Sequence, residues 1–200
     1  MKITSIKQQV KQKDWYSVFV DEKYAFSLSE SALLESKLTS GTAISAGKLR
    51  ELKKLSDDDK IYNRTLNYIA LRPRSKWEIE FYLQRKKASP PLIESILNKL
   101  SIIGLIDDEK FAKAFINDRR LLRPASRRKL INELRKKHIS NEIIEKAIGN
   151  ESEDEQAALQ AVIGRKRRQT KYQDDQKLMQ YLARQGFNYQ DIKAALGKDS

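Results

Sequence analysis

The apolar positions of this chain follow two rhythms, and the change between them divides it. Near the N-terminus they crowd or alternate in the manner of strands. Trp15-Tyr16-Ser17-Val18-Phe19-Val20 is β-branched and aromatic, and Tyr24-Ala25-Phe26-Ser27-Leu28 alternates. Asp21-Glu22-Lys23 between them is short enough for a hairpin connection, although it lacks the Asn-Gly or Gly signal of the tightest turns. Ile3, Ile6 and Val10 predict a weaker strand ahead of these two. A short helix is expected over residues 32–38, started by Ser29 or Ser31 and ended by Thr39-Ser40-Gly41-Thr42. A second is expected from Ser45 or Ala46 to Leu55.

Beyond that point the period is helical, and one pattern is written three times. Leu83-Gln84-Arg85-Lys86, Leu134-Arg135-Lys136-Lys137 and Leu182-Ala183-Arg184-Gln185 stand at the same place in three segments, 51 and then 48 residues apart. Four residues before each leucine stand Ile79, Leu130 and Leu178; ten after it stand Ile93, Ile144 and Ile192; fourteen after it, Leu97, Ile148 and Leu196. This spacing lies at the upper end of that of stacked supersecondary units. Each copy reads as three helices. In the first, Asp57-Asp58-Asp59 is expected to open helix one, which runs through Tyr62, Leu66 and Ile69 to Arg72-Pro73. Ser75-Lys76-Trp77-Glu78 is a capping box for helix two, and Ser89-Pro90 starts helix three. Ser126 and Asp174 occupy the position of Ser75, and Ser140 and Asn188 that of Ser89.

The expected fold is therefore mainly α: tandem three-helix repeats forming an elongated array, preceded by a small β-containing segment. The boundaries expected are 1–56 for the N-terminal segment and 57–105, 106–150 and 151–200 for the repeats. A unit of this size buries too little apolar surface to be robust alone, so neighbouring copies should brace one another. Of the two joins, Gly149-Asn150-Glu151-Ser152-Glu153-Asp154 is the expected hinge.

Charge changes the picture from a fold to an interaction. The 200 residues carry 40 Lys and Arg against 27 Asp and Glu, a formal charge of +13. Such a balance favours an anionic partner, nucleic acid or an acidic protein face. It is concentrated in the middle: residues 106–150 hold 12 basic and 7 acidic side chains, residues 1–58 hold 10 and 8. The candidate contact residues are Arg72, Arg74, Lys76 and Arg85 in the first copy and Arg119, Arg120 and Arg123 ahead of helix two of the second. That helix and its end add Arg127, Arg128, Arg135, Lys136 and Lys137, and the third copy adds Arg165, Arg167, Arg168 and Arg184. Guanidinium forks grip phosphate and carboxylate at two points. A solvated helical face is the bland alternative for any such run.

Catalytic chemistry has little material. There is no cysteine and one histidine, His138, in a turn whose counterpart is Gly186, so a left-handed cap is the simplest role for it. A zinc site or His-based triad has almost nothing to draw on, and no Gly-rich phosphate loop occurs. Asp57-Asp58-Asp59, Asp107-Asp108-Glu109 and Asp174-Asp175 could hold Mg²⁺ for nuclease chemistry, but all three read as helix starts, where negative side chains are favoured. Trp77, Phe81, Tyr82, Phe111 and Phe115 have the helical spacing of core residues. No catalytic residue, metal or cofactor is expected. With no apolar signal core and no membrane-length apolar stretch, a soluble cytoplasmic protein is expected.

Three motifs carry a family resemblance. Arg72-Pro73-Arg74-Ser75-Lys76-Trp77-Glu78-Ile79-Glu80-Phe81-Tyr82-Leu83 resembles the opening signature of the RecX family of recombination regulators. Gly104-Leu105-Ile106-Asp107-Asp108-Glu109-Lys110-Phe111-Ala112 is similar to its second motif. Lys177-Leu178-Met179-Gln180-Tyr181-Leu182-Ala183-Arg184-Gln185-Gly186-Phe187 resembles its third, and together they cover residues 57–197. The N-terminal strands resemble the extension of longer members. The resemblance implies a curved or elongated array with a non-enzymatic role in DNA repair, homologous recombination and the SOS response. It implies binding to the RecA recombinase, chiefly as its filament on single-stranded DNA, and restraint of strand exchange, ATP hydrolysis and coprotease activity. A monomer bridging protomers in the filament groove is the expectation, with single-stranded and double-stranded DNA as further partners. A direct DNA-binding protein acting without a recombinase is the alternative. Lys87 and His138 depart from the glycine kept at Gly186, so those two turns are expected to be looser.

Overall fold

The strand-forming residues near the N-terminus pair as a three-stranded antiparallel sheet in the order β1 (Ile3–Gln8), β2 (Trp15–Val20), β3 (Lys23–Ser29). Val20 pairs with Lys23, leaving Asp21 and Glu22 as a two-residue loop with φ of 46° and 68°. Hairpins favour that left-handed pair because its twist matches the strands. Here β1 and the residue before it supply what glycine would have made easy. Lys2 N donates to Asp21 Oδ1 at 2.8 Å, and Glu22 N donates to Thr4 Oγ1 at 3.0 Å. One sheet face packs Ile3, Val18, Val20, Phe26 and Leu28 against Ala32, Ile44 and Leu52.

Helix α1 (Glu30–Ser36) is capped by Ser29, one of the two starts expected, and stops at Lys37 in the left-handed region. Helix α2 (Ala46–Ala70) corrects the sequence reading more deeply. It runs unbroken for 25 residues, so Asp57-Asp58-Asp59 opens no helix and the boundary expected after residue 56 falls inside it. No glycine or proline interrupts the chain there, and Leu52, Ser56 and Asp59 share one buried face. That face lies along β3. Ser56 Oγ donates to Ser27 O at 2.6 Å, and Asp59 accepts from Ser29 N at 2.6 Å and Ser29 Oγ at 2.8 Å. Asn63 Nδ2 donates to Asp59 Oδ1 at 2.8 Å. The carboxylate therefore serves the residue that caps α1.

The computed structural model describes residues 1–149 and 152–197. It divides into one compact unit of Met1–Pro73 with Ile79–Ile103 and another of Arg74–Glu78 with Gly104–Ser200. The division falls within α3 (Lys76–Arg85), which is followed by α4 (Pro90–Ile102). In the first unit Ile79, Leu83, Ile93, Ile96 and Leu100 are buried. The second unit holds two three-helix groups. Helices α5 (Asp108–Leu122), α6 (Arg127–Arg135) and α7 (Asn141–Ile148) enclose Phe111, Ile116, Leu130, Leu134, Ile144 and Ile148. Helices α8 (Ser152–Arg167), α9 (Asp175–Arg184) and α10 (Tyr189–Ala195) enclose Leu159, Val162, Leu178, Leu182, Phe187 and Ile192. The mainly helical fold with tandem three-helix groups and an N-terminal sheet is as the sequence predicts. Of the join expected to act as a hinge, Asn150 and Glu151 lie outside the described residues.

The three repeats are locally alike. Ser75 and Glu78 cap each other's amides at 3.2 and 3.3 Å, Ser126 accepts from Lys129 N, and Asp174 accepts from Lys177 N. Ser140 and Asn188 cap the third helices with their side chains, whereas Ser89 makes no such bond and relies on proline. Each second helix ends in the same pair of bonds: Ala88 N to Leu83 O with Lys87 N to Gln84 O, and their counterparts at Ile139 and His138 and at Phe187 and Gly186. Lys87, His138 and Gly186 all have positive φ, 58°, 57° and 93°. The two non-glycine turns are therefore closed as fully as the third, contrary to the expectation, because the carbonyls of the last turn dictate the backbone.

Candidate anion-binding surface

Several of the sixteen basic candidates are engaged inside the protein, Arg72 with the Pro73 carbonyl among them. Arg119 Nε meets Glu133 at 2.8 Å and lies over the Phe115 ring, and Arg120 pairs with Asp154. Arg127 reaches the Gly149 carbonyl and, at 3.0 Å, Glu145. Arg167 pairs with Asp175 and bonds the Tyr172 and Gln173 carbonyls. Lys137 Nζ meets the buried Glu78 at 2.7 Å. Arg135 Nε donates to Asn141 Oδ1 at 3.0 Å, and the residue stays exposed. Lys166, from the same basic run, spends its charge over the Tyr172 and Tyr181 rings. Arginines drawn into such pairs position helices.

The exposed basic side chains have a focus. Arg128, Asn132 and Arg135 on α6 and Lys136 at its C-cap stand at i, i+4, i+7 and i+8, so they form one exposed stripe. Arg184, at the end of α9, joins it. Two clefts flank the ridge made by Arg128 and Asn132. One of about 640 Å³ lies against α10, with Arg135, Ile131, Phe187, Glu155 and Asp191 in its walls. The other, about 510 Å³, is lined by Lys129, Lys136, Ala183, Arg184 and Gln185. Among the described residues, Arg128, Lys136 and Arg184 face no carboxylate at ion-pair distance. Lys76, Arg85, Arg123, Arg165 and Arg168 are exposed elsewhere, and Arg72 and Arg74 flank Pro73.

A contact built twice fixes this stripe. The amide of Lys76, first in α3, donates to Asp108 Oδ1 at 2.8 Å, and that of Arg127, first in α6, donates to Glu155 Oε2 at 2.6 Å. Lys137 reaches Glu78 in one case; in the other, Lys129 reaches Gln185 Oε1 at 2.7 Å. The His138 ring stacks on Trp77 with centroids 4.4 Å apart, and its counterpart Gly186 lies against Ser126 and Arg128. Burial pushes the Asp108 and Glu155 carboxyls above their usual range, against the pull of those amides. Asp107, which caps α5, is held below it by the Lys110 amide.

The acidic runs do not converge. Among the described residues no group of acidic or histidine side chains could hold a metal ion. Asp107 and Asp174 are helix caps, as expected, while Asp58 is half-buried on α2 with its carboxyl raised by burial. His138 is the turn residue expected of it. Phe111 is buried, and Tyr82 stacks on Tyr68 at 4.2 Å, but Phe81 is 46% exposed and not the core residue expected. Sequence reasoning missed Asn132 within the stripe, the exposed pair Leu121 and Leu122, and Tyr189 on α10. No helix among the described residues is long and apolar enough to cross a membrane.

Four family models match the chain. They are the regulatory protein RecX N-terminal domain over residues 1–45 and the RecX first, second and third three-helix domains over 62–100, 107–148 and 153–196. A regulatory protein RecX of Listeria welshimeri serovar 6b is 37% identical over 115 residues, 58% of this chain and 43% of the relative. That of Lactobacillus johnsonii is 35% identical over 116 residues, 58% and 42%. The matched stretch spans less than half the length of these relatives. A crystal structure of a regulatory protein RecX superposes with a TM-score of 0.75 over 98% of both chains at 26% identity.

Proposed function

The chain belongs to the RecX family of regulatory proteins, and from that premise we propose that it binds the RecA recombinase filament on single-stranded DNA and restrains it. The observation that carries this reading is the exposed stripe of Arg128, Arg135 and Lys136 with Arg184, set beside Arg119, Arg120 and Arg127, which are paired with carboxylates of the protein itself. It suits a phosphate or carboxylate track. It acts as a monomer and without catalysis: several helical groups, each engaging a neighbouring protomer or strand segment, bind at high effective concentration once one is seated. Bridged protomers then lose the subunit changes needed for ATP hydrolysis, strand exchange and coprotease activity.

The same stripe favours a second reading, direct binding to DNA with no recombinase. Contact with phosphates releases counterions, so affinity for naked DNA then falls steeply with salt. One experiment separates the two. RecA ATP hydrolysis on single-stranded DNA is followed while the protein is titrated in, and its binding to DNA alone is measured in the same buffer. Inhibition well below the concentration that coats the DNA supports the filament as target. Inhibition only at DNA saturation transfers the role to competition for the strand, and no inhibition removes the proposal.

A further inference from the structure

We propose that the groove between α9 and α10 seats an unstacked base of single-stranded DNA, with Tyr189 as its platform. The inference rests on the reading that the α6 stripe meets a DNA strand. Tyr189 is the first residue of α10 and is 55% exposed although large aromatic residues ordinarily seek burial. Lys193, one turn on, holds its ammonium over one face of the ring, 5.2 Å from the centroid, and adds positive charge there. The groove beside them encloses about 640 Å³ and is lined by Gln176, Met179, Gln180 and Ala183 as well as Tyr189 and Lys193.

This lining has no carboxylate, whereas the cleft on the other side of α10 has Glu155 and Asp191 in its walls beside Arg128 and Arg135. Glutamine amides donate and accept, so any base edge finds a partner, and the thioether of Met179 adds soft contact with a ring. The groove is continuous with the basic surface. Ala183 lines both it and the cleft that holds Arg184, Lys136 and Arg128. A backbone laid along those cations reaches the α9–α10 groove with its bases free to turn in. A platform of this kind accepts every base and rejects duplex, whose bases stack on each other.

The test uses a labelled oligothymidylate and an abasic oligomer of equal length, which share the phosphates and differ in the bases. Binding by the full chain is read as fluorescence anisotropy. The expected result is a preference of about tenfold for the oligothymidylate, lost in Tyr189→Ala and kept in Tyr189→Phe. Lys193→Gln should weaken both oligomers alike. Equal binding of the two by the wild-type chain overturns the base seat, while inhibition of RecA in the same preparation leaves the proposed function standing. Retained preference in Tyr189→Ala overturns Tyr189 as the platform, and a Phe variant as weak as the Ala variant overturns stacking as its means. Binding of neither oligomer overturns the DNA contact itself.

Discussion

Gly186 sits so close to Ser126 that a Cβ on it would stand 2.9 Å from the serine hydroxyl and 3.2 Å from Arg128 Cβ. The Ser126 hydroxyl meanwhile donates to Gln185 O at 2.6 Å, so it cannot simply turn away. The close approach ties the start of α6 to the end of α9, and the φ of 93° adds a second reason for glycine. Gly186→Ala is expected to destabilise the second unit by about 2 kcal/mol. Urea unfolding read by far-UV circular dichroism measures it. The equivalent turns predict the reverse change. Lys87→Gly should stabilise by about 1 kcal/mol, since it relieves a left-handed lysine. His138→Gly should gain less because it forfeits the ring stacked on Trp77.

Asp59 is a carboxylate inside a helix that works for another element. Replacing it with alanine leaves the buried amide of Ser29 without an acceptor and detaches α2 from the cap of α1. The expected loss is about 2 to 3 kcal/mol for Asp59→Ala. Asp59→Asn, which keeps one acceptor oxygen, should lose less. Thermal or urea unfolding of the two variants checks the ranking; equal stability of Asp59→Ala and wild type would remove the carboxylate from the fold's accounting.

Much of the fold is legible because apolar spacing reports packing directly. The leucines Leu83, Leu134 and Leu182 and their isoleucine companions are all buried, and five of the six capping positions act through their side chains. The unbroken α2 was not legible. Ser56-Asp57-Asp58-Asp59 has the composition of a helix start, and the partner that explains Asp59 lies 30 residues away on β3. The engaged arginines share this cause: Arg119 finds its carboxylate 14 residues on, and the amide of Arg127 finds Glu155 28 residues on. Helical spacing shows which side chains share a face but not which distant acid reaches them. Tyr189 stands three and seven residues before Ile192 and Leu196, the spacing of a core face, and only its first-turn position puts it outside.

Two classes of arginine should therefore answer differently to charge reversal. Arg128→Glu with Arg135→Glu is expected to weaken filament binding and flatten its salt dependence, with stability within about 0.5 kcal/mol of wild type. Arg127→Glu instead breaks contacts to the Gly149 carbonyl and Glu145, and should cost about 1 to 3 kcal/mol of stability. Filament pull-down at two salt concentrations, beside urea unfolding of each variant, separates the classes. Full inhibition of RecA by the double variant would remove the stripe from the interface.

The twin carboxylates that receive helix-start amides make a prediction in pH. Burial raises the Asp108 and Glu155 carboxyls, beside Lys76 and Asp107 in one case and Arg127 and Asp191 in the other. A carboxyl whose folded pKa lies above its unfolded one holds its proton more tightly when folded, so its ionisation opposes folding at neutral pH. That opposition fades as pH falls through the raised value and is gone below the ordinary 3.8 of Asp and 4.5 of Glu. Asp108→Asn with Glu155→Gln retains an oxygen for each amide and removes the charge. The double variant should match or exceed wild-type stability at neutral pH, and its margin should shrink on acidification as the wild-type groups take up protons. Urea midpoints across that range decide the matter. A margin that widens towards acid would mean that the ionised carboxylates hold these helix starts in place through charge-assisted bonds stronger than their burial cost.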